Sequence, residues 1–473
     1  MNLETMDRAN IERVHAASLT VLESVGVRVM DEGVCRILKG AGAQVDESDW
    51  RVRMPSRLVL EALKMAPSEV RLYDRRGGSL LLAEGQRPYH CSTDLNWVVD
   101  FRTSKIRRIQ LKDIGEITRL GDFLPAIGGV AHQGLAEDVP SDQSSLRSIE
   151  SVVLNTTKHC LGAVISLREA ELWTEMADVL LGDIGDLRQT PIISFGVSTT
   201  SPLQFDKESV NVLVHAARHG IPVRTIPCPL SGATTPMTLA GTLVVQNAEA
   251  LFTIALAQLV KEHAPMIYGG IPGIMDMKTG AALFGTPEFS LMSNTVAQLA
   301  RFYGLPCYTA LGDTDAIDID VQSGVEKLLS YLTGYISGIN LSVGASGLAT
   351  ASVSSYEQLV IDNEILEIVE RYMRGIQVDA DTLALQVIEK VGPGGNYLVE
   401  DHTLAWLKKG EHYYPRVFNR QAKEVVGTAS MVCTKAHEQA ARILADHAPA
   451  IPADVSKRVK SYVQDKARDL AVS

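Results

Sequence analysis

A chain of 473 residues with 46% hydrophobic and 21% charged residues is a globular mixture; it excludes disordered, fibrous and collagen-like classes and is long enough for a large core. The 45 basic and 56 acidic residues give a net charge of -11 without any block of basic residues, which excludes nucleic acid as an expected partner, because phosphate binding needs clustered Lys and Arg. Six cysteines, at Cys35, Cys91, Cys160, Cys228, Cys307 and Cys433, form no C-x-x-C pair, and Met1–Arg13 is charged where a signal peptide would be apolar, so a cytoplasmic protein is expected.

Taken in chain order, Ile11–Ser24 has helical apolar spacing, with Val14, Leu19 and Leu22 on one face and Gly26 as its stop. A second helix over Asp31–Lys39 ends at Gly40. Gln44–Met54 alternates apolar and charged residues like one half-exposed strand, and Pro55–Met65 is helical again. Val70–Tyr73 and Leu80–Ala83 flank Arg75-Arg76-Gly77-Gly78 as a hairpin, so residues 1–85 read as a small α+β module. From residue 86, short apolar runs alternate with helices, the pattern of parallel strands joined by crossovers. Strands are expected at Ile127–Val130, Leu161–Ile165, Pro191–Val197, Pro222–Ile226, Pro265–Tyr268, Leu305–Thr309 and Ile339–Val343. Helices fall at Ser144–Lys158, Arg168–Leu181, Asp206–His219, Leu239–His263, Pro287–Tyr303, Val321–Tyr335 and Tyr356–Met373. An eighth strand lies either at Pro88–Cys91 or within Leu348–Val353.

This series over residues 86–374 fits an α/β fold of the closed (β/α)8 TIM-barrel type, and no G-x-G-x-x-G or P-loop pattern follows any strand. Residues 375–473 are helical and charged and are expected to wrap the barrel or form an oligomer contact. The uncharged stretches Thr225–Ala248 and Leu328–Tyr356 are broken by prolines, or by glycines and serines, so no membrane span is expected.

In a parallel barrel, polar residues just after each strand converge on one mouth. Here these are His132-Gln133, Ser198–Ser201, Ser231–Thr235, Gly269–Gly273 leading to Asp276, and Gly312–Asp315, a set rich in Gly, Ser and Thr and poor in bases. No G-x-S-x-G elbow or H-E-x-x-H pair occurs, and the side chains of the adjacent pairs His90-Cys91 and His159-Cys160 diverge, so no metal site is expected. Asp313 and Asp315 share a face if the strand continues, whereas Asp318 and Asp320 suit helix capping before Val321. Tyr89, Trp97, Tyr268, Phe284, Tyr308 and Tyr356 fall near the expected mouth. A quaternary ammonium donates no N–H bond, so a pocket for it uses aromatic faces and nearby carboxylates. For each ring, as for Cys228 and Cys307, ordinary packing is the competing account.

Several stretches together resemble the trimethylamine methyltransferase family: Val99–Arg107, Tyr268-Gly269-Gly270 through Asp276–Gly280, Gly285-x-Pro287-Glu288, Tyr303–Pro306, Asp315-Ala316 with Asp320-x-Gln322-x-Gly324-x-Glu326, Ser355-Tyr356-Glu357 and Tyr414-Pro415-Arg416. The resemblance implies a (β/α)8 barrel that moves a methyl group from an amine to the cobalt of a separate corrinoid protein. Archaeal members acting on trimethylamine carry pyrrolysine in the region matching Gly312–Ala316, which has none here. The chain therefore resembles the branch lacking pyrrolysine, whose substrates are quaternary amines such as glycine betaine, proline betaine and carnitine. Where many members have a His followed by Gly-Trp-x-Glu-Gly-Gly, this chain reads Gly344–Ser352 without His, Trp or Glu; the small residues imply a wider pocket for a bulkier betaine.

The expectation is thus a quaternary-amine:corrinoid methyltransferase. Asp313 and Asp315 would serve as catalytic carboxylates, with Tyr89, Trp97, Tyr268, Phe284, Tyr308 and Tyr356 as an aromatic cage, and His90, His132 or Arg224 against a substrate carboxylate. The chain itself would bind no cofactor or metal, its corrinoid would come with a partner protein, and it would form a homo-oligomer. Two rivals stay open: a metal-dependent barrel lyase or hydrolase using Asp276, Asp313 and Asp315, and a betaine-binding protein without transfer activity.

Overall fold

Eight of the predicted apolar runs close into a parallel barrel in the computed structural model, which describes residues 3–132, 134–182, 185–420 and 431–472; Gln133 lies outside them. The barrel strands are β1 (Tyr89–Ser92), β2 (Ile127–Ala131), β3 (His159–Ala163), β4 (Ile193–Ser198), β5 (Val223–Ile226), β6 (Met266–Gly269), β7 (Cys307–Thr309) and β8 (Leu341–Ala345). Each is followed by a helix: α1 (Leu111–Phe123), α2 (Ser144–Val153), α3 (Leu167–Leu181), α4 (Lys207–His219), α5 (Leu239–Val260), α6 (Pro287–Tyr303), α7 (Val321–Ser337) and α8 (Tyr356–Met373). Closure is made by β8 on β1, with Leu341 opposite Tyr89 and Ser342 opposite His90.

The first of the two candidate eighth strands is therefore the barrel strand. The second, around Leu348–Val353, instead folds back as Gly347–Leu348 and Val353–Ser354. Together with Trp97–Val99 and Ile106–Arg108 it makes a four-stranded sheet over the loops that follow β8 and β1. A tight turn through Ala349, Thr350 and Ala351, all at positive φ, leaves too few residues for a barrel strand there.

The amino ends of the barrel strands are sealed by the hairpin Val70–Tyr73 with Ser79–Leu82. Tyr73 N–H donates to Pro191 O at 3.0 Å and Arg75 N–H to Thr157 O at 2.8 Å, just before β4 and β3. Val70, Leu72 and Leu82 share one apolar cluster with the inward-facing Cys91, Leu161, Ile267 and Leu341. With that end plugged, the barrel opens only at the carboxyl ends of its strands, where sites in this fold are built.

Gln44–Met54 is two short strands rather than one, Gln44–Asp46 pairing antiparallel with Arg51–Arg53. The Asp46 and Asp49 carboxylates accept the turn amides of Ser48 and Arg51, local bonds that compete with a continuous strand. Gly26 turns the chain at φ +78°, and a Cβ there would lie 2.5 Å from Val52 O. The helices Arg8–Thr20 and Ser56–Met65 pack on α5. Because α5 lies between the barrel and these helices it is apolar all round. Among the described residues it is the one helix long and apolar enough to cross a membrane, and 78% of its apolar window is buried.

The carboxyl-terminal segment wraps the helical layer: Val432–Asp446 packs on α8 and α1, and Ala453–Val472 on α3 and α2. Between them and α8, the short helices Ala380–Leu383, Leu385–Val391 and Asp401–Lys408 bury no residue. A second, larger apolar cluster runs from Ile11 through the layer between barrel and helices to Ala467.

Candidate active site at the barrel mouth

A cavity of about 370 Å³ lies at the carboxyl ends of the strands, walled by Val164, Ile226, Ile271 and Val343 and carrying Arg224, Tyr308, Asp94, Asp206, Ser198 and Ser209 as its polar groups. Arg224 projects inward from the middle of β5 and is 1% exposed. Its guanidinium lies 5.4 Å from the ring centroid of Tyr308, and Nη2 donates to Gly162 O at 3.4 Å. Nε and Nη1 have no partner among the described residues. Burying a cation with so few partners is costly, which makes Arg224 a candidate functional residue.

Asp94 stands two residues beyond β1, at the place where the convergence rule puts reactive groups. Burial raises its carboxyl to about 6, with Arg224 opposing the rise. Asp313 does not line the cavity wall; it is buried beside it, within electrostatic reach of Asp94 and Tyr308. Burial pushes the Asp313 carboxyl up to about 7, Lys327 opposing and Asp94, Asp362 and Asp315 adding repulsion. Its Oδ1 has no hydrogen-bond partner among the described residues.

The position of Asp313 follows from a wholly buried ion pair. Lys327 Nζ on α7 lies 3.0 Å from Asp362 Oδ2 on α8 and also donates to Gly312 O. Asp362 in turn accepts Ser346 N–H at 2.7 Å and Gln358 Nε2 at 2.9 Å, tying the loops after β7 and β8 together. Gly312 sits at φ +84°, and a Cβ there would come within 1.9 Å of Tyr331 Oη, so only glycine fits. A Cβ on Gly344 or Gly347 would lie 3.2 or 3.3 Å from Asp313 Oδ1. Gly344 and Gly347 thus leave room for the Leu311 carbonyl and that carboxylate, and none of Gly344–Ser352 is among the residues lining the cavity.

Asp315 is half-buried and already engaged. It accepts Phe284 and Gly285 N–H, each at 2.9 Å, and Thr350 Oγ1 at 3.2 Å, which clamps three mouth loops. Asp320 caps α7 by accepting Ser323 N–H at 3.1 Å, as its position before Val321 implies. Asp276 is an exposed turn residue bound to Lys278 N–H and Thr279 Oγ1, so the trio Asp276, Asp313 and Asp315 does not converge. Among the described residues no group of three His, Cys, Asp or Glu side chains is arranged to hold a metal ion. Burial lifts the Cys228 and Cys307 thiols to about 12, which leaves neither a thiolate.

The expected aromatic cage is not assembled; of its six rings only Tyr308 lines the cavity. Tyr89 is at the plugged end, its hydroxyl donating to Gly128 O. Trp97 lies on the sheet over the mouth with Arg108 stacked 4.4 Å from its ring. Tyr268 faces the helical layer and donates to Asn247 Oδ1 at 2.7 Å. Phe284 packs on Phe289, and the single hydroxyl proton of Tyr356 is shared between Asp113 Oδ1 at 2.9 Å and Glu116 Oε2 at 3.1 Å, between α8 and α1. The histidines also face outward: His90 meets Ser342 Oγ at 2.7 Å and the Tyr331 ring, and His132 meets Glu169 at 3.4 Å and the Trp173 ring. Burial lowers them to about 3 and about 4, so both are neutral. Of the three candidate carboxylate partners, Arg224 alone reaches the cavity.

Asp94, Glu169, Lys327 and Asp362 were not anticipated from the sequence. Asp94 had a usable signal, its place just after a strand, which was lost because that strand itself was undecided. Glu169 sits beside the mouth, its carboxyl raised to about 7 by burial with Asp94 adding.

The sequence profile of the trimethylamine methyltransferase (MTTB) family matches residues 1–471. The chain is 31% identical to a trimethylamine methyltransferase of Desulfitobacterium hafniense, covering 97% of this chain and 93% of the relative. It is 33% identical to one of Methanosarcina barkeri (99% and 95% covered) and 28% identical to a glycine betaine methyltransferase of Desulfitobacterium hafniense (99% and 98% covered). In fold it is similar to the monomethylamine methyltransferase of Methanosarcina barkeri, at a TM-score of 0.51 and 12% identity over 92% of each chain. With its barrel, its base-poor mouth and a match over the whole chain, the protein belongs to the trimethylamine methyltransferase family and is a methyltransferase.

Proposed function

We propose that the chain moves a methyl group from a quaternary amine of the betaine type (glycine betaine, proline betaine or a carnitine-like compound) to Co(I) of a separate corrinoid protein. The observation that carries this reading is the cavity itself: apolar walls, one aromatic ring, the carboxyl groups of Asp94 and Asp206 and the Arg224 guanidinium at its floor, with no Cys or His among the described residues on its wall. Such a cup suits a permanent cation that offers no N–H. In the transfer, the cobalt electron pair forms the bond to the methyl carbon while the C–N pair stays with nitrogen. The amine departs neutral, so no general acid is required. What the chain contributes is positioning and exclusion of water.

Six mouth loops each present an exposed large apolar side chain: Ile106, Leu135, Ile165, Met237, Met277 and Ile317. Exposed apolar residues gathered around one opening favour a protein partner there, as delivery of a bound corrinoid requires. Pyrrolysine, which the trimethylamine-specific archaeal members carry, does not occur between Gly312 and Ala316, and this favours quaternary over tertiary amines. The exposed Ile376, Val378, Leu385, Leu398 and Val399 support self-association through the segment after α8.

The test is a panel of betaines and methylamines incubated with a Co(I) corrinoid protein, following methyl-Co(III) by absorbance. Turnover with a betaine is expected. Turnover confined to trimethylamine refutes the substrate, and demethylation without cobalamin refutes the reaction.

A further inference from the structure

We infer that Arg224 is the anchor for a carboxylate on the substrate, so that the cavity takes a zwitterion end-on, its acid group down against Arg224 and its cationic nitrogen up beside Asp94. This rests on the quaternary-amine reading above and assigns within it the residue that selects for the acid.

The guanidinium presents a planar fork suited to two parallel bonds to one carboxylate. Two of its three nitrogens are without partners among the described residues although the side chain is buried, and the third has only a long 3.4 Å bond to Gly162 O. Gly196 lets the guanidinium and Ile226 pack close against the β4 backbone: a Cβ there would lie 2.4 Å from Ile226 Cδ1 and 3.0 Å from Nη2. Asp94 lines the same cavity but does not satisfy the guanidinium, and Asp206, the other carboxylate on the wall, is taken up by Ser209 N–H and Oγ.

Depth fixes the direction of binding. Arg224 is the second residue of β5, inside the barrel, whereas Asp94 lies beyond the end of β1. The hairpin plugs the opposite end, so ligand enters and an acceptor approaches from the mouth alone. A methyl group must therefore point to the mouth, and the carboxylate to the floor. The reverse orientation would bury the methyl groups away from any external attacking atom and set the cation against Arg224.

The experiment is calorimetric binding to the full chain, without corrinoid protein, of glycine betaine, choline and tetramethylammonium. The first two share a trimethylammonium head and differ in carboxylate against hydroxyl. Wild type is expected to bind glycine betaine roughly 10- to 150-fold more tightly than choline, the range for hydrogen bonds to a charged group. Arg224→Gln should erase that preference while leaving tetramethylammonium within about threefold of wild type, and Arg224→Lys should restore part of it. If wild type binds glycine betaine no better than choline, or if Arg224→Gln weakens all three probes alike, the anchor role is overturned and the quaternary-amine reading stands. If none of the three binds wild type, that reading itself falls. Should Arg224→Gln fail to fold, the wild-type ratio and Arg224→Lys decide the matter.

Discussion

Replacing Lys327 by Met removes one half of a wholly buried ion pair whose partners lie 3.0 Å apart. Breaking such a pair from one side costs about 3–5 kcal/mol, because the remaining charge is stranded in a medium that solvates it poorly. Asp362 keeps Ser346 N–H and Gln358 Nε2 as donors, which places the cost toward the lower end, about 3 kcal/mol. At about 2.1 cal/mol/K per residue, 473 residues give an unfolding entropy near 1 kcal/mol/K, so the expected fall in thermal midpoint is about 3 °C. The pH dependence carries the sharper signature. Burial already raises the Asp362 carboxyl and Lys327 opposes the rise, so the variant raises it further. A carboxyl whose folded value lies above its unfolded one loses stability as pH rises between the two. The deficit of Lys327→Met should therefore grow as pH rises and shrink as pH falls toward the ordinary carboxylate range. Differential scanning calorimetry of both proteins as a function of pH measures it. The double variant Lys327→Met/Asp362→Leu should lose the pH dependence, since an apolar pair strands no charge, while the deficit left by the freed Ser346 N–H and Gly312 O remains. A deficit below about 1 kcal/mol in Lys327→Met, or one that is flat with pH, would refute the account of a buried pair holding the Gly312–Asp313 turn.

Asp94→Asn should weaken tetramethylammonium binding by about tenfold or more while leaving an uncharged carbon isostere of the ligand unaffected; calorimetry showing equal losses would reject a cation-facing role. Because Asp94 lies at about 6 and Asp313 at about 7 in the free protein, cation affinity should be full above pH 8 and fall as pH drops through these values, by about tenfold at pH 5 for Asp94 alone. In Asp94→Asn the lower of the two steps should vanish; its persistence would assign it elsewhere. Gly312→Ala should lower the thermal midpoint and disturb the Asp313 loop, since it adds both a contact with Tyr331 Oη and strain at φ +84°. Tyr331→Phe should relieve only the first, so full rescue by that second change would show the backbone strain to be negligible.

Of the groups named from the sequence, Arg224 and Tyr308 line the cavity and Asp313 is buried beside it, and each stands close to the end of a predicted strand. The rings at Tyr268 and Tyr89 and the imidazole at His90 satisfied the same criterion of position and yet face the helices or the plugged end. The reason is that a parallel strand covered on both sides is apolar on both sides, so its inward and outward residues carry no alternating signature. Sequence position tells how near a residue stands to the mouth but not which way it points. Asp94 was hidden by the opposite difficulty: four residues of strand, Tyr89–Ser92, are too short to be told from the run at Leu348–Val353 until one of them closes the barrel.

The order of strands and helices, the closed parallel barrel and the scarcity of bases around its mouth were determined by the chain alone, because periodicity, glycine and proline punctuation and composition are local properties. Tertiary structure alone decided that Arg224 is buried without a partner, that Asp315 clamps loops while Asp94 lines the cavity, and that Lys327 and Asp362 fix Asp313. These depend on contacts between residues far apart in sequence and on the rotation of each strand about its axis, and both are set only when the eight strands close on one another.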